Sequence, residues 1–224
     1  MRVTFDKQEL LDAITPATGI SQTKNTFASV DGLLFECPPD PKMGDFEGDA
    51  NNMCRISAFD LEKGLRSTIE CNVYEEGLFV INTQKILQIV RALPDGDITL
   101  EIDPTGKVQL SGGYSKFEIA ATPGDDFPSM PMFIGENVYK IPQYKVRSLI
   151  SETIFAVAQN DQRAAFNGAL FKIKDGELTV VGCDGNRLAA SKCSIADTNP
   201  GAADAEMVIP GKFLLELMKL LRDT

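Results

Sequence analysis

The sequence predicts a duplicated α+β fold: antiparallel sheets with two helices per copy, the second copy incomplete. Three observations lead there. Short runs of alternating apolar and polar residues are bounded by Gly, Pro, Asn and Asp, the signature of half-buried strands. Each half of the chain breaks those runs with two helical patterns, and helices separated by several strands imply a largely antiparallel sheet. The order of elements over residues 1–135 then recurs after 136.

The first copy opens on "DKQELLDAITPATGI", where Asp6 is placed to cap a helix and Glu9 stands at the capping-box spacing. Leu10, Leu11, Ile14 and Ala17 follow at helical intervals. "ASVDGLLFEC", "MCRISAFD", "LRSTIECNVY" and "GLFVIN" read as strands. Residues 37–51 carry three prolines and no apolar period, so they read as a loop. "TQKILQIVRAL" is an amphipathic helix stopped by Pro94, and "DITLEID", "KVQLSGG" and "SKFEIAAT" complete the copy. "PGDDFPSMPMFIG" reads as a linker.

The second copy repeats this order. "ENVYKIPQYKVRSLISETIFAVA" is strand then helix, "FNGALFKIKDG", "ELTVVGCDG" and "RLAASKCSI" are strands, and "EMVIPGKFLLELMKLL" is strand then helix. Phe5 and Ile141, like Gly32 and Gly168, stand 136 residues apart; Asp60 and Asp184 stand 124 apart, and Ile81 and Ile209 stand 128 apart. A shorter loop in the second copy accounts for the change of offset. A repeat of this length is a duplicated domain rather than a solenoid unit. The expected boundaries are residues 1–124, a linker over 125–135, and residues 136–224, which lack counterparts of Asp97–Thr122.

Composition narrows the function. The 224 residues contain no His, which removes Ser/His and Cys/His catalysis and every zinc site that uses imidazole. Five Cys with no C-x-x-C argue against a disulfide framework or an all-Cys zinc site. They read as small buried hydrophobes. No cofactor or metal is expected. No apolar run approaches the roughly 20 residues of a spanning helix, so a cytoplasmic protein without membrane attachment is expected. The formal charge of −10 is uneven: residues 1–135 hold 11 Lys and Arg against 21 Asp and Glu, and residues 136–224 hold 11 of each. Bulk charge opposes nucleic acid, but a basic stripe can act locally, because a Debye length of about 8 Å screens distant acids.

"TVVGCDGNRLAASKC" packs Cys183, Asp184, Asn186 and Arg187 into one turn. A phosphate loop is excluded because no helix follows. A Cys183 nucleophile has no histidine base, and Cys183 with Cys193 lacks two zinc ligands. What remains is a hairpin turn, with Gly185 or Asn186 at positive φ.

The residues around that turn also carry a family resemblance. "NDQRAAFNGALFKIKDGELTVVGCDGNRLAAS" resembles the second domain of the bacterial DNA polymerase III beta subunit, the sliding clamp. "DGLLFEC", "AFDLEKGLR", "IVRALPDGDITLEI" and "SKFEIAATPGDDFPSMP" resemble its first domain, in collinear order. The resemblance implies three domains per full subunit, with sheets outside and helices on the inner face of a homodimeric ring around double-stranded DNA. On that basis this chain reads as a fragment lacking domain three. It implies a non-catalytic processivity factor within a polymerase holoenzyme that has its own 3′–5′ exonuclease. The implied partners are the polymerase III catalytic subunit, the clamp loader and other proteins carrying a clamp-binding motif.

Two sets of residues follow from the resemblance. Holding DNA without reading sequence needs cations over phosphates. Lys85 and Arg91, with Gln88 between them, share one helix face; Lys212, Lys219 and Arg222 share another; Lys145 and Arg147 lie on the third helix. Lys24 and Asn160 match DNA-touching positions of the family, whereas Ala164 and Ala165 replace an aromatic pair of some clamps. The partner-peptide pocket carries over to Phe166, Cys183, Gly185, Asn186, Arg187 and Leu188. Two other readings stand beside this one: an enzyme built on Asp184, Arg187 and Cys183, and a stand-alone protein-interaction module of clamp-like fold.

Overall fold

The computed structural model describes residues 1–20, 32–40, 49–61, 63–130, 138–201 and 203–222. They fall into two compact units, Met1–Met132 and Phe133–Thr224. The fold is α+β with antiparallel sheets, as the pattern predicts.

In unit 1, β1 (Arg2–Asp6) leads directly into α1 (Lys7–Ala17), because Asp6 Oδ1 accepts from Gln8 N at 2.8 Å and Glu9 N at 3.1 Å. This is the expected N-cap. The strands β2 (Gly32–Cys37), β3 (Met53–Phe59), β4 (Gly64–Glu70), β5 (Asn72–Glu75) and β6 (Gly77–Asn82) follow. Next come α2 (Thr83–Ala92), capped by Asn82, then β7 (Asp97–Ile102), β8 (Lys107–Gly112) and β9 (Ser115–Pro123). The sheet order is β4-β3-β2-β6-β9-β8-β7-β1-β5, with every neighbouring pair antiparallel.

"LRSTIECNVY" is two strands rather than the one expected. The chain breaks at Cys71, whose N–H donates to Asn52 O at 2.9 Å, so β4 pairs with β3 while β5 crosses to β1. In the opposite sense, β9 is one strand serving two partners: Ser115–Ala120 pair with β8 and Ala121–Pro123 with β6. The inward faces of both halves meet α1 and α2 in a single core that includes Phe5, Leu33, Phe35, Ile81, Ile98 and Leu110. Cys37, Cys54 and Cys71 meet inside it. Burial raises the Cys37 and Cys54 thiols, and the Cys71 thiol is raised first by its hydrogen bond to Cys37. All three remain protonated and behave as small hydrophobes, as expected.

Unit 2 contains α3 (Gln143–Thr153), β10 (Gly168–Lys174), β11 (Glu177–Cys183), β12 (Leu188–Ser194), β13 (Ala205–Pro210) and α4 (Gly211–Leu220). The sheet order is β12-β11-β10-β13, and both helices cover the face that carries Ala169, Phe171, Ile173, Leu178 and Val180. "ENVYKI" was expected as a strand, yet its described residues, 138–141, form none. Here Asn199 does a strand's work: its Oδ1 accepts from Lys140 N at 2.6 Å and its Nδ2 donates to Lys140 O at 2.8 Å. Leu214 is the buried apolar anchor of α4, whereas Leu220 is exposed.

The duplication is visible atom by atom. A Cβ on Gly32 would lie 2.3 Å from Val80 Cγ1 and 3.0 Å from Ile81 O; a Cβ on Gly168 would lie 2.7 Å from Val208 Cγ1 and 2.6 Å from Ile209 O. Strand two of each copy passes too close to the strand before the second helix for any side chain. The Asp60 and Asp184 turns also coincide. Leu61 (φ +73°) stands where Gly185 (φ +90°) stands, and an ion pair closes each turn, Lys63–Asp60 at 3.4 Å and Arg187–Asp184 at 2.9 Å.

Two stability outcomes are expected. An L-residue in the left-handed region costs roughly 1–2 kcal/mol, and Leu61 is 54% exposed, so it gains little from packing. Leu61→Gly should therefore raise the unfolding free energy by up to about 1 kcal/mol, after the ~0.5–1 kcal/mol entropic cost of glycine. Gly168→Ala should cost roughly 1–3 kcal/mol through overpacking against β13. Urea titration of each variant measures both.

Candidate partner groove and nucleic-acid face

The hairpin between β11 and β12 is built by one carboxylate. Asp184 Oδ1 accepts from Asn186 N and Arg187 N, each at 3.0 Å, and Oδ2 takes Arg187 Nε at 2.9 Å. Those two amides, with Arg187, hold the carboxyl below its ordinary range. Gly185 supplies the positive φ, whereas Asn186 does not. All four groups of the turn are thus engaged in shaping it, which removes Asp184 as a free acid for catalysis.

A second loop stands against this turn. Asn167 brackets Asp161, accepting from its N–H and donating to its C=O, both at 2.8 Å. The Asp161 carboxylate grips Arg163 through Nε and Nη2, each at 3.0 Å. The guanidinium carbon is thereby placed over the Phe166 ring, 4.0 Å from its centroid, and Nη2 lies 3.2 Å from where a Gly185 Cβ would be. On the other side of the turn the Arg187 guanidinium lies 5.8 Å from the Phe155 ring, which is 57% exposed. Leu188 is 65% exposed and Cys183 is half-buried.

The six predicted pocket residues therefore gather at one end of the unit 2 sheet. Sequence reasoning missed three neighbours: Asp161, Arg163 and Phe155. The i, i+2 spacing of Asp161 and Arg163 was the available signal. Nothing in the sequence marks Phe155 as exposed.

The predicted DNA residues separate into groups. Lys85, Gln88 and Arg91 are exposed on α2, opposite buried Ile86, Leu87 and Val90. Asn160, at φ +63°, and Lys212 line one cleft of about 380 Å³ in unit 2, with Ile154, Val157 and Leu215 on its wall. Lys219 pairs with Glu216 at 2.8 Å, and Arg222 is exposed. Lys145 and Arg147 are spent inside the unit. Lys145 Nζ donates to Ser194 O at 2.9 Å, and Arg147 Nη1 donates to Leu221 O at 2.8 Å, at the C-terminus of α4. Cations are favoured at such carbonyls. Lys24 lies outside the described residues.

Comparison with known proteins decides the family. The model of the DNA polymerase III beta subunit N-terminal domain matches residues 1–131, and that of its central domain matches residues 140–224. This chain belongs to the DNA polymerase III beta subunit family. It is 29% identical over 223 residues to the beta sliding clamp of Vibrio cholerae, covering 99% of this chain and 57% of that protein. A putative beta subunit from Eubacterium rectale superposes with a TM-score of 0.87 at 27% identity, covering 100% of this chain and 57% of that one. The beta subunit of Pseudomonas aeruginosa gives 0.85 at 28% identity, covering 99% and 57%. The chain thus spans little more than half the length of these beta subunits. Among the described residues no group of His, Cys, Asp and Glu is arranged to hold a metal, and no helix is long and apolar enough to cross a membrane.

The Arg163 clamp makes a titration testable. Its hydrogen bonds, the side-chain one foremost, lower the Asp161 carboxyl to about 2. The folded value lies below the unfolded one, so the contribution to stability is complete above the ordinary Asp range, about 3.9. It is lost as pH falls through about 2. Carboxyl-carbon NMR should show Asp161 ionised at pH 3, and Arg163→Ala should bring its midpoint back towards the ordinary range.

Proposed function

We propose that this chain supplies domain one and part of domain two of a sliding clamp, with boundaries near residues 124 and 136. The clamp is a non-catalytic processivity factor that encircles double-stranded DNA and tethers the polymerase III catalytic subunit, the clamp loader and other motif-bearing proteins. The full-length form is a homodimeric ring acting in the cytoplasm. What carries the reading is that both halves match successive domains of one family in order, with the duplicated turn intact. Lys85, Arg91, Lys212, Lys219, Arg222 and Asn160 are its DNA-facing set. Lys145 and Arg147 contribute less, since their charged groups already serve carbonyls of unit 2, and Lys24 stays in the set on resemblance alone.

Partner docking takes place at Phe166, Cys183, Gly185, Asn186, Arg187 and Leu188. The partner is an extended peptide, because alternate side chains of an extended chain point the same way and Leu188 and Phe166 offer neighbouring apolar contacts. A stand-alone interaction module is the second reading. It is favoured by the internal use of Lys145 and Arg147 and by the acidic balance of the first half.

Two measurements separate them. Anisotropy of a labelled 30-base-pair duplex should give a log K against log salt slope of about −4 to −5, for roughly four to six phosphate contacts. Lys85→Ala and Lys212→Ala should each reduce the slope by about 1, and Lys145→Ala should not. A slope near zero supports the interaction module. A labelled Ser-Leu-Ser-Leu-Phe peptide should bind unit 2, and Arg187→Ala or Leu188→Ala should weaken it about tenfold, since buried apolar and Arg anchors carry most of such affinities.

A further inference from the structure

One cleft of unit 1 holds none of the proposed DNA-facing or peptide-docking residues. It lies on the sheet face away from the helices. There β2, β3 and β4 set two rows of side chains side by side: Glu36 beside Arg55, and Leu34, Ser57 and Arg66 in the next row. This floor is polar, yet much of it is buried. Arg55 is 1% exposed; its Nη1 donates to Glu36 Oε2 at 2.9 Å and its Nη2 to Asp40 O at 3.1 Å. Ser57 is 4% exposed, and among the described residues its hydroxyl has no hydrogen-bond partner. Buried hydroxyls are nearly always satisfied. Arg66, directly opposite Ser57, brings a second guanidinium to the same cleft.

The roof is apolar. The chain leaving β9 turns back over the sheet, where a Cβ on Gly124 would be 2.6 Å from Leu78 Cγ and 2.7 Å from Leu34 Cδ1, so the backbone itself rests on those side chains. Phe127 N donates to Gly124 O at 3.0 Å, which turns the segment along the sheet. Phe127, Pro128 and Met130 then close over a space of about 340 Å³. Small-molecule sites begin at about that size. A water molecule answers the hydroxyl but gains nothing from the roof; a ligand with a polar head and an apolar body uses both. The charges select the head. Glu36 already answers Arg55, and the exposed Asp125 stands at the rim, so the cleft suits one negative charge rather than the two of a phosphate monoester. A carboxylate accepts from a hydroxyl and a guanidinium at once.

We propose that this cleft binds a small monocarboxylate with an apolar body. The carboxylate takes Ser57 and Arg66, and the body lies beneath Phe127, Pro128 and Met130. Such a ligand bridges floor and roof, so its binding fastens Gly124–Met130 to the sheet. The site is independent of DNA holding and of peptide docking.

Amide NMR of the full chain, titrated with phenylacetate, reads the site. Saturable shifts should appear at Ser57, Arg66 and Phe127, and hydrogen exchange over 124–130 should slow at saturation. Phenylacetamide, the neutral isostere, and acetate, which lacks the body, should each bind wild type about tenfold more weakly or worse. Ser57→Ala should weaken phenylacetate roughly five- to tenfold, and Arg66→Leu more than tenfold. Ser57→Ala should not lose stability, because the hydroxyl it removes is unpaired, and the three ligands compared on wild type need no variant at all. Acetate binding as tightly as phenylacetate means an adventitious anion contact only. Equal binding of phenylacetamide means an apolar cleft without an anion site, and an unchanged affinity in Ser57→Ala means a ligand seated elsewhere. Each of these overturns the proposal, as does a titration that leaves the three amides unmoved.

Discussion

A carboxylate that turns back onto the amides two and three residues ahead of it is the interaction on which the groove depends. Asp184 converts four residues into a tight corner, and every feature of the proposed docking site is referred to that corner. Gly185 supplies the φ of +90° that the corner needs, Arg187 is held by the same carboxylate, and Leu188 is the first residue to leave. Each cation here is paired with its own aspartate and lies over an aromatic ring, Arg163 over Phe166 and Arg187 over Phe155. Guanidinium planes suit that use better than ammonium groups would.

The same economy governs the helices. Lys7 Nζ closes the C-terminal end of α2 by donating to Leu93 O at 2.7 Å, and Arg147 does so for α4. In each copy a cation near the start of the first helix secures the end of the second. A basic residue on a helix of this protein thus belongs to one of two populations: those facing solvent, such as Lys85 and Lys212, and those aimed at a neighbour's carbonyls.

How much of this was legible in the sequence depended on range. The N-cap at Asp6, the α2 stripe and the hairpin at Gly185 are local, and their residues announce them. The duplication was legible from spacing, and the close approach at Gly32 and Gly168 explains why glycine recurs there. Illegible were the features that need a partner distant in sequence. Cys71 divides one apparent strand because Asn52 lies opposite it. Residues 138–141 form no strand, and both backbone groups of Lys140 bond the side chain of Asn199, 59 residues away. Lys145 and Arg147 look like surface cations until the ends of β12 and α4 arrive beside them. Around the turn, the six proposed pocket residues came from resemblance, while Phe155 emerged only from geometry.

The shared strand β9 has a consequence for how unit 1 comes apart. One unbroken backbone belongs to both ladders, so neither half of the sheet can open at that seam without stripping hydrogen bonds from the other. At the opposite seam, Cys71 ties the β4–β5 junction to the start of β3. The two halves are therefore joined at both ends by continuous chain, and unit 1 should lose its structure as a single cooperative foldon with no half-sheet intermediate.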